Sequence, residues 1–274
     1  MRPSFSNSAR RISSFKEKIM SDWNSTQYLK FKKERTQPSL DLISRLTSLD
    51  PERVLDIGCG PGNSTFALKS QFPNADITGV DYSDDMLKKA KADHSDINFQ
   101  KCNAPDGLYE LDGKFDLIFS NACFQWIPRQ YELFDAVFEK LKDGGTLAVQ
   151  IPIVQTAPFY EMLKEVVKRD KWKKLAHIRD FHNFYDTEYY DILCEKASSF
   201  DMWQTTYYHT VDGAKGVLSW YSGSGLRPYL DALTDGERVE FLSELENNIN
   251  SLYPVRANGK LILKMPRLFF TAVK

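Results

Sequence analysis

The sequence is poor in cysteine and histidine, with four of each in 274 residues. Cys59, Cys102, Cys123 and Cys194 lie far apart and form no C-x-x-C pair. That argues against a disulfide framework or structural zinc site and fits a reducing, cytoplasmic compartment. His94, His177, His182 and His209 add no ligand spacing, so no metal is expected. No apolar run approaches the ~20 residues of a transmembrane helix, so no membrane partner is expected. Neither sign of charge is in excess: 36 Lys and Arg stand against 37 Asp and Glu. A binder of phosphate backbones would carry a basic surplus, so nucleic acid is not an expected partner.

What is there is a globular composition, 42% hydrophobic and 27% charged, on a chain long enough to bury a substantial core. Residues 1–19 differ from the rest. They hold Arg2, Arg10, Arg11, Lys16 and Lys18, many serines and one acid, Glu17. They read as a disordered extension ahead of a truer start at Met20; a transit peptide is the alternative. Residues 20–274 read as a single domain. Its core is 52–151, cap and insert segments mixed with late strands fill 152–258, and a final strand lies in 259–274.

A helical stretch runs from Thr26 to Arg35, and Pro38 sits where a second helix could begin. Strands then alternate with helices. Arg53–Ile57, Asp76–Val80, Ile97–Lys101, Phe115–Ser120 and Thr146–Ile151 read as strands. Ser64–Gln71, Asp84–Ala92 with Ser83 as N-cap, and Tyr131–Lys142 read as helices, the last stopped by Gly144 and Gly145. Such alternation predicts an α/β fold with a mostly parallel sheet and helices on both faces. Beyond Pro152, Phe159–Val167, Thr187–Lys196 and Thr234–Asn248 read as helices, the last opened by a Thr234-x-x-Glu237 capping box. Thr205–Tyr208 and Leu261–Val273 read as strands, with Pro266 expected at an edge or bulge.

The most informative segment is Val54-Leu55-Asp56-Ile57-Gly58-Cys59-Gly60-Pro61-Gly62-Asn63. A strand ends in a glycine-rich turn that opens a helix, a place where a ligand can approach backbone closely. Asp81, nineteen residues past Gly62, closes the second strand, where a carboxylate can accept hydrogen bonds from a ribose diol. Asn63 stands where a dinucleotide fingerprint wants its last glycine, which weakens a nicotinamide oxidoreductase. No Gly-Lys-Ser/Thr follows, which excludes a P-loop. Asp56 would repel a pyrophosphate but suits a cationic amino-acid ligand. Cys59 has no basic neighbour in sequence and reads as a small filler.

D-x-G-x-G-x-G after the first strand, with an acid ending the second, resembles the class I S-adenosylmethionine-dependent methyltransferases. The segments SDWN (21–24), ERTQP (34–38), LDIGCGPGNST (55–65), FSNACFQWIP (119–128), YELF (131–134), LAVQIP (147–152), TTYYH (205–209), GLRP (225–228) and PRLF (266–269) resemble, in order and spacing, the trans-aconitate methyltransferases of that class. The match runs from about Met20 to the C terminus. It implies a Rossmann-like sheet of seven strands, the last antiparallel, with a helical cap.

The resemblance implies S-adenosyl-L-methionine as cofactor and S-adenosyl-L-homocysteine as product. Gly58, Cys59, Gly60, Gly62 and Asn63 would cradle the methionine part, with Asp56 near its ammonium. Asp81 would hold the ribose, and Tyr82 and Met86 would flank the adenine. Asn103 and Ala104 would lie near the adenine amino group, and Asn121 and Ala122 beside the methionine. Trp23 and Arg35, with Tyr28, would form a lid; an N-terminal helix docked on the core is the alternative. The family often has Asp where Asn103 stands, so one charge-assisted bond is lost here.

The implied reaction is esterification of one carboxylate of trans-aconitate. A carboxylate is already ionised at neutral pH, so no indispensable catalytic side chain is expected, only positioning. A small polyanionic substrate calls for arginine forks and hydroxyls. Candidates are Trp126, Tyr207, Tyr208, His209, Arg227 and Arg267, with Arg129 near the fourth strand. Strand alternation points Tyr208 away from Tyr207 and His209. Rival readings are the same fold acting on another acid or an apolar acceptor, and a non-catalytic cofactor-binding protein. A monomer or weak homo-oligomer is expected.

Overall fold

The computed structural model describes residues 32–154, 157–178, 182–222 and 225–274. Trp23, Tyr28 and the extension at 1–19 lie outside them.

Helix α1 spans Lys32–Ile43 and carries Pro38 inside it. This corrects the expectation that Pro38 opens a new helix. The ring forfeits one backbone bond, which a helix packed on a core tolerates because tertiary burial outweighs local propensity. Leu42, Ile43 and Leu46 just beyond are all buried in the core. Arg35 lies on the backbone of this helix.

Among the described residues seven strands follow: β1 Arg53–Ile57, β2 Asp76–Asp81, β3 Asn98–Lys101, β4 Phe115–Asn121, β5 Leu141–Pro152, β6 Ser199–Val211 and β7 Leu261–Val273. They form one sheet in the order β3-β2-β1-β4-β5-β7-β6. The first five run parallel, and β7 is antiparallel to β5, from Thr146 opposite Val273 to Pro152 opposite Arg267. The helices between strands are α2 Asn63–Gln71, α3 Asp84–Asp93, α4 Asp106–Tyr109 and α5 Gln130–Lys140. Ser83 caps α3 by accepting from the Met86 amide at 3.4 Å. After β5 come α6 Pro158–Val167, α7 Asp186–Lys196, α8 Gly213–Ser222, α9 Arg227–Asp231 and α10 Asp235–Leu252.

Two expectations fail here for tertiary reasons. Helix α5 ends at Lys140, before the two glycines, because Leu141 already pairs with Phe115 of β4. Pro266 sits on an interior strand, not an edge. Its missing N–H costs little there, since it lies one residue past the last β5 partner and its carbonyl accepts from Ile153 at 3.0 Å.

Alternation along the strands splits the core into two layers. Val54, Leu117, Phe119, Ala148 and Phe269 meet α1 and α2 on one face. Leu55, Ile57, Ile118, Leu147, Val149 and Phe270 meet α5 and α7 on the other. Full burial of each such Leu, Ile or Phe stabilises the fold by ~1.5–3 kcal/mol.

The chain divides into two compact units. The first gathers the described residues within 35–155, 180–207 and 264–274 and contains most of the sheet. The second gathers those within 156–179 and 208–263. In the second, α10 opens with the predicted capping box of Thr234 and Glu237. Glu237, Glu240 and Glu244 form a stripe on α10 that meets Lys174, Lys171 and Arg169. Trp172 Nε1 also donates to Glu244 at 2.7 Å.

Candidate cofactor and substrate site

The site is built at the carboxyl ends of the strands in the first unit, where open α/β sheets bind ligands. Hydrogen bonds from the Gly58 and Cys59 amides to the Val80 carbonyl, 2.8 and 3.0 Å, tie the end of β1 to β2. The turn that follows needs its glycines. At Gly58, φ is +75°, and a Cβ would stand 2.1 Å from Cys123 Sγ. At Gly60, φ is +53°, and beyond its chain neighbours no atom of the described residues lies within 4 Å of an added Cβ, which leaves room for a ligand at the backbone.

Asp56 is fully buried. Its Oδ2 accepts from Ser64 and Thr65 hydroxyls of α2, both at 2.7 Å. Its Oδ1 is buried with no hydrogen-bond partner among the described residues. Burial pushes its carboxyl up to about 6, against the pull of the two hydroxyls, and the Asp81 charge raises it further. Asp81 holds the turn from the other side, accepting from Gly60 N at 3.0 Å and from Ser83 N at 2.9 Å.

Beyond β4 the backbone is strained. Ala122 has φ +53°, with its amide bonded to the Gln150 carbonyl at 2.9 Å and its carbonyl accepting from Gln125 Nε2 at 2.7 Å. Ser120 ties β4 to β1 through the Ile57 carbonyl at 2.9 Å. The Asn121 Oδ1 is a second buried acceptor with no partner among the described residues.

An adenosyl cofactor with an ammonium group fits these residues. Two orphaned acceptors, Asp56 Oδ1 and Asn121 Oδ1, face a cation's needs, and the Gly60 backbone is open. Tyr82 is 62% exposed and Met86 half-buried at the start of α3. Tyr82 therefore stands free of the core and can flank a ring. Asn103 is exposed after β3, its carbonyl accepting from Gly107 at 2.9 Å, and Ala104 beside it is half-buried. Asn63 opens α2 behind Gly62. Burial drives the Cys59 thiol far above its ordinary range, so it is no nucleophile.

The substrate candidates divide between the two units. Arg267 lies on β7 beside the end of β5, half-buried. Tyr207, on β6, donates to Asp41 Oδ2 of α1 at 2.5 Å, and burial and that bond hold its phenol far above its usual range. The Arg267 charge acts on Tyr207 in the opposite sense. Trp126 is half-buried in a short turn, Phe124–Trp126. Arg129 pairs with Asp106 at 2.5 Å on the surface. Tyr208, His209 and Arg227 belong to the second unit. Tyr208 is exposed, His209 stacks on Trp220 at 4.5 Å, and Arg227 reaches Asp231 of its own helix at 3.5 Å.

Sequence reasoning missed Ser64 and Thr65, which hold Asp56, and Gln150. The signal for Gln150 was present: a lone polar residue inside the apolar run Leu147–Ile151. Among the described residues no cluster of three His, Cys, Asp or Glu could hold a metal ion, and no helix is long and apolar enough to cross a membrane.

A methyltransferase-domain family matches residues 49–212. A trans-aconitate 2-methyltransferase of Rhodopseudomonas palustris strain BisB18 is 39% identical over 259 residues, covering 93% of this chain and 100% of that protein. One from Escherichia coli O7:K1 is 37% identical, covering 92% and 98%. Among solved structures, the YcgJ protein of Bacillus subtilis superposes with a TM-score of 0.55 at 17% identity, covering 87% of this chain and 98% of that one. Phosphoethanolamine N-methyltransferase 2 of Haemonchus contortus, in complex with S-adenosyl-L-methionine, gives 0.53 at 19% identity, covering 87% and 52%. These two share the fold. With the glycine turn, the buried Asp56 and the strand order in place, the chain belongs to the methyltransferase family that includes the trans-aconitate 2-methyltransferases.

Proposed function

We propose that this chain methylates one carboxylate of a small polycarboxylic acid, trans-aconitate, using S-adenosyl-L-methionine. The observation that carries the reading is an order of charge along one face of the sheet. Pairing register and alternation place Asp81 of β2, Asp56 of β1, Asn121 of β4, Gln150 of β5 and Arg267 of β7 on the same face, on five consecutive strands. The row runs from acid through neutral amide to cation. A cationic donor belongs at its acidic end and an anionic acceptor at its basic end.

Asp56 and Asn121 would hold the cofactor's ammonium, Asp81 its ribose, and the open backbone at Gly60 would let it approach. Bound there, S-adenosyl-L-methionine supplies an activated methyl group: a carboxylate oxygen takes the methyl carbon, sulfur keeps the electron pair of the broken bond, and no proton moves. The protein's part is therefore to orient the acid and exclude water, without a general base. Arg267 would bind a carboxylate of the acid that does not react. Arg227, Tyr208 and His209 remain further candidates for the same acid. A cytoplasmic monomer or weak homo-oligomer, needing no metal, is the form in which we place the activity.

Calorimetric titration of trans-aconitate and of its trimethyl ester into the protein loaded with S-adenosyl-L-homocysteine tests the reading. The free acid should bind at least tenfold more tightly than the ester. Equal affinities would overturn it.

A further inference from the structure

We infer that Gln150 is the residue that orients the acceptor carboxylate at the point of methyl transfer. The inference rests on the carboxylate-methylating reading above and names a contact for it. Gln150 is 1% exposed, yet its Nε2 has no hydrogen-bond partner among the described residues. A buried amide donor with nothing to bond costs stability, so such a group at a ligand site is a mark of recognition. Its place fits that task. Gln150 is the direct register partner of Asn121 across β4 and β5, so the two side chains share one face. On one side lie Asn121 and the buried Asp56 of the cofactor end; on the other, one strand and one pleat away, lies Arg267. In this row Gln150 is the neutral donor that stands next to the arginine's strand. A neutral donor suits that position. It can hold a carboxylate oxygen without masking the negative charge that makes the other oxygen nucleophilic, as an ammonium or guanidinium beside it would. The position is also fixed: the Gln150 backbone carbonyl accepts from the strained Ala122 amide at 2.9 Å, which locks the end of β5 to the turn after β4.

Gln150→Leu and Gln150→Asn test the assignment. Leucine keeps the volume and removes the donor. Asparagine keeps the donor on a shorter stem. In Gln150→Leu, trans-aconitate binding to the S-adenosyl-L-homocysteine-loaded protein should weaken about tenfold to a hundredfold, the loss expected for a hydrogen bond to a charged group. S-adenosyl-L-methionine binding should stay within twofold, and the melting temperature should not fall. Gln150→Asn should recover part of the loss. Acid affinity unchanged in Gln150→Leu, with wild type binding the acid, would overturn this assignment alone. A matching loss of cofactor affinity would place Gln150 in the cofactor's shell and overturn it too. A wild-type protein that binds the cofactor product but no polycarboxylic acid would remove the functional reading and this assignment with it.

Discussion

The Cα of Gly58 lies so close to Cys123 that a methyl group on it would stand 2.1 Å from the cysteine sulfur. At Gly60, two residues on, an added Cβ would meet no atom of the described residues within 4 Å beyond its chain neighbours. The two glycines therefore serve different ends. Gly58→Ala should lower both the melting temperature and cofactor affinity, because the turn after β1 or the turn after β4 must shift. Gly60→Ala should fold with a loss of only about 1 kcal/mol, the penalty of a left-handed alanine. Its cofactor affinity should nonetheless fall by tenfold or more. Thermal melts with and without S-adenosyl-L-homocysteine separate the two; equal behaviour would contradict the distinction.

In its proposed role, Asp56 should make cofactor binding pH-dependent. Its carboxyl, pushed up to about 6 by burial, holds a proton more firmly in the folded chain than in the unfolded one. In the cofactor-free protein this group's contribution to stability therefore rises as pH falls through 6 and levels off below its ordinary value of 3.8. Cofactor affinity has the opposite sign, because the ammonium needs the carboxylate. It should fall about tenfold per pH unit below 6. Binding near pH 6 should release a proton, seen as a buffer-dependent heat in calorimetry. Asp56→Asn should bind weakly with a flat profile over that range.

Tyr207 and Asp41 join β6 to α1 through a bond of 2.5 Å, and Gln37 holds the other carboxyl oxygen of Asp41 at 2.6 Å. Tyr207→Phe should cost about 1 kcal/mol, the net worth of one hydrogen bond. In a chain of this size that lowers the melting temperature by about 2–4 °C. Because we assign Tyr207 to anchoring α1, its substrate KM should change less than in Arg267→Ala.

Arg267 and Arg227 are both candidates for binding the acid, and they stand in different surroundings. Arg267 stands in the polar row on the sheet face, while Arg227 is 67% exposed at its side chain and engages Asp231 one helical turn away. Arg267→Ala should raise KM for the acid tenfold or more and leave cofactor affinity within twofold. Arg227→Ala should raise the same KM; an unchanged value removes it from the substrate set and leaves the charge order of the sheet intact.

Asn103 is exposed, two residues past the end of β3. Asn103→Asp should keep or modestly tighten cofactor binding, since a carboxylate accepts from an adenine amino group at least as well as an amide. Weaker binding in a direct titration would move the adenine elsewhere.

The glycine turn was legible because it is local: strand, three glycines, helix and a second acid all lie within thirty residues. Capping was legible for the same reason at Ser83 and Thr234. Pro38, Pro266 and the end of α5 at Lys140 were not. Each was decided by partners distant in sequence: a core that overrides a helix breaker, a β5 ladder that stops one residue short of the proline, and a β4 strand that claims Leu141. Gln150 was passed over because a buried polar residue becomes meaningful only once its neighbours are known. Its row with Asp56, Asn121 and Arg267 joins residues more than 200 positions apart, and only the pairing register reveals it.

The most direct measurement is a methyl-transfer assay with S-adenosyl-L-methionine and a panel of trans-aconitate, cis-aconitate, isocitrate and a fatty acid. It would follow S-adenosyl-L-homocysteine release and product mass. The account predicts a single added methyl group, as an ester, chiefly on trans-aconitate. Cofactor binding without an ester on any of the acids would contradict it.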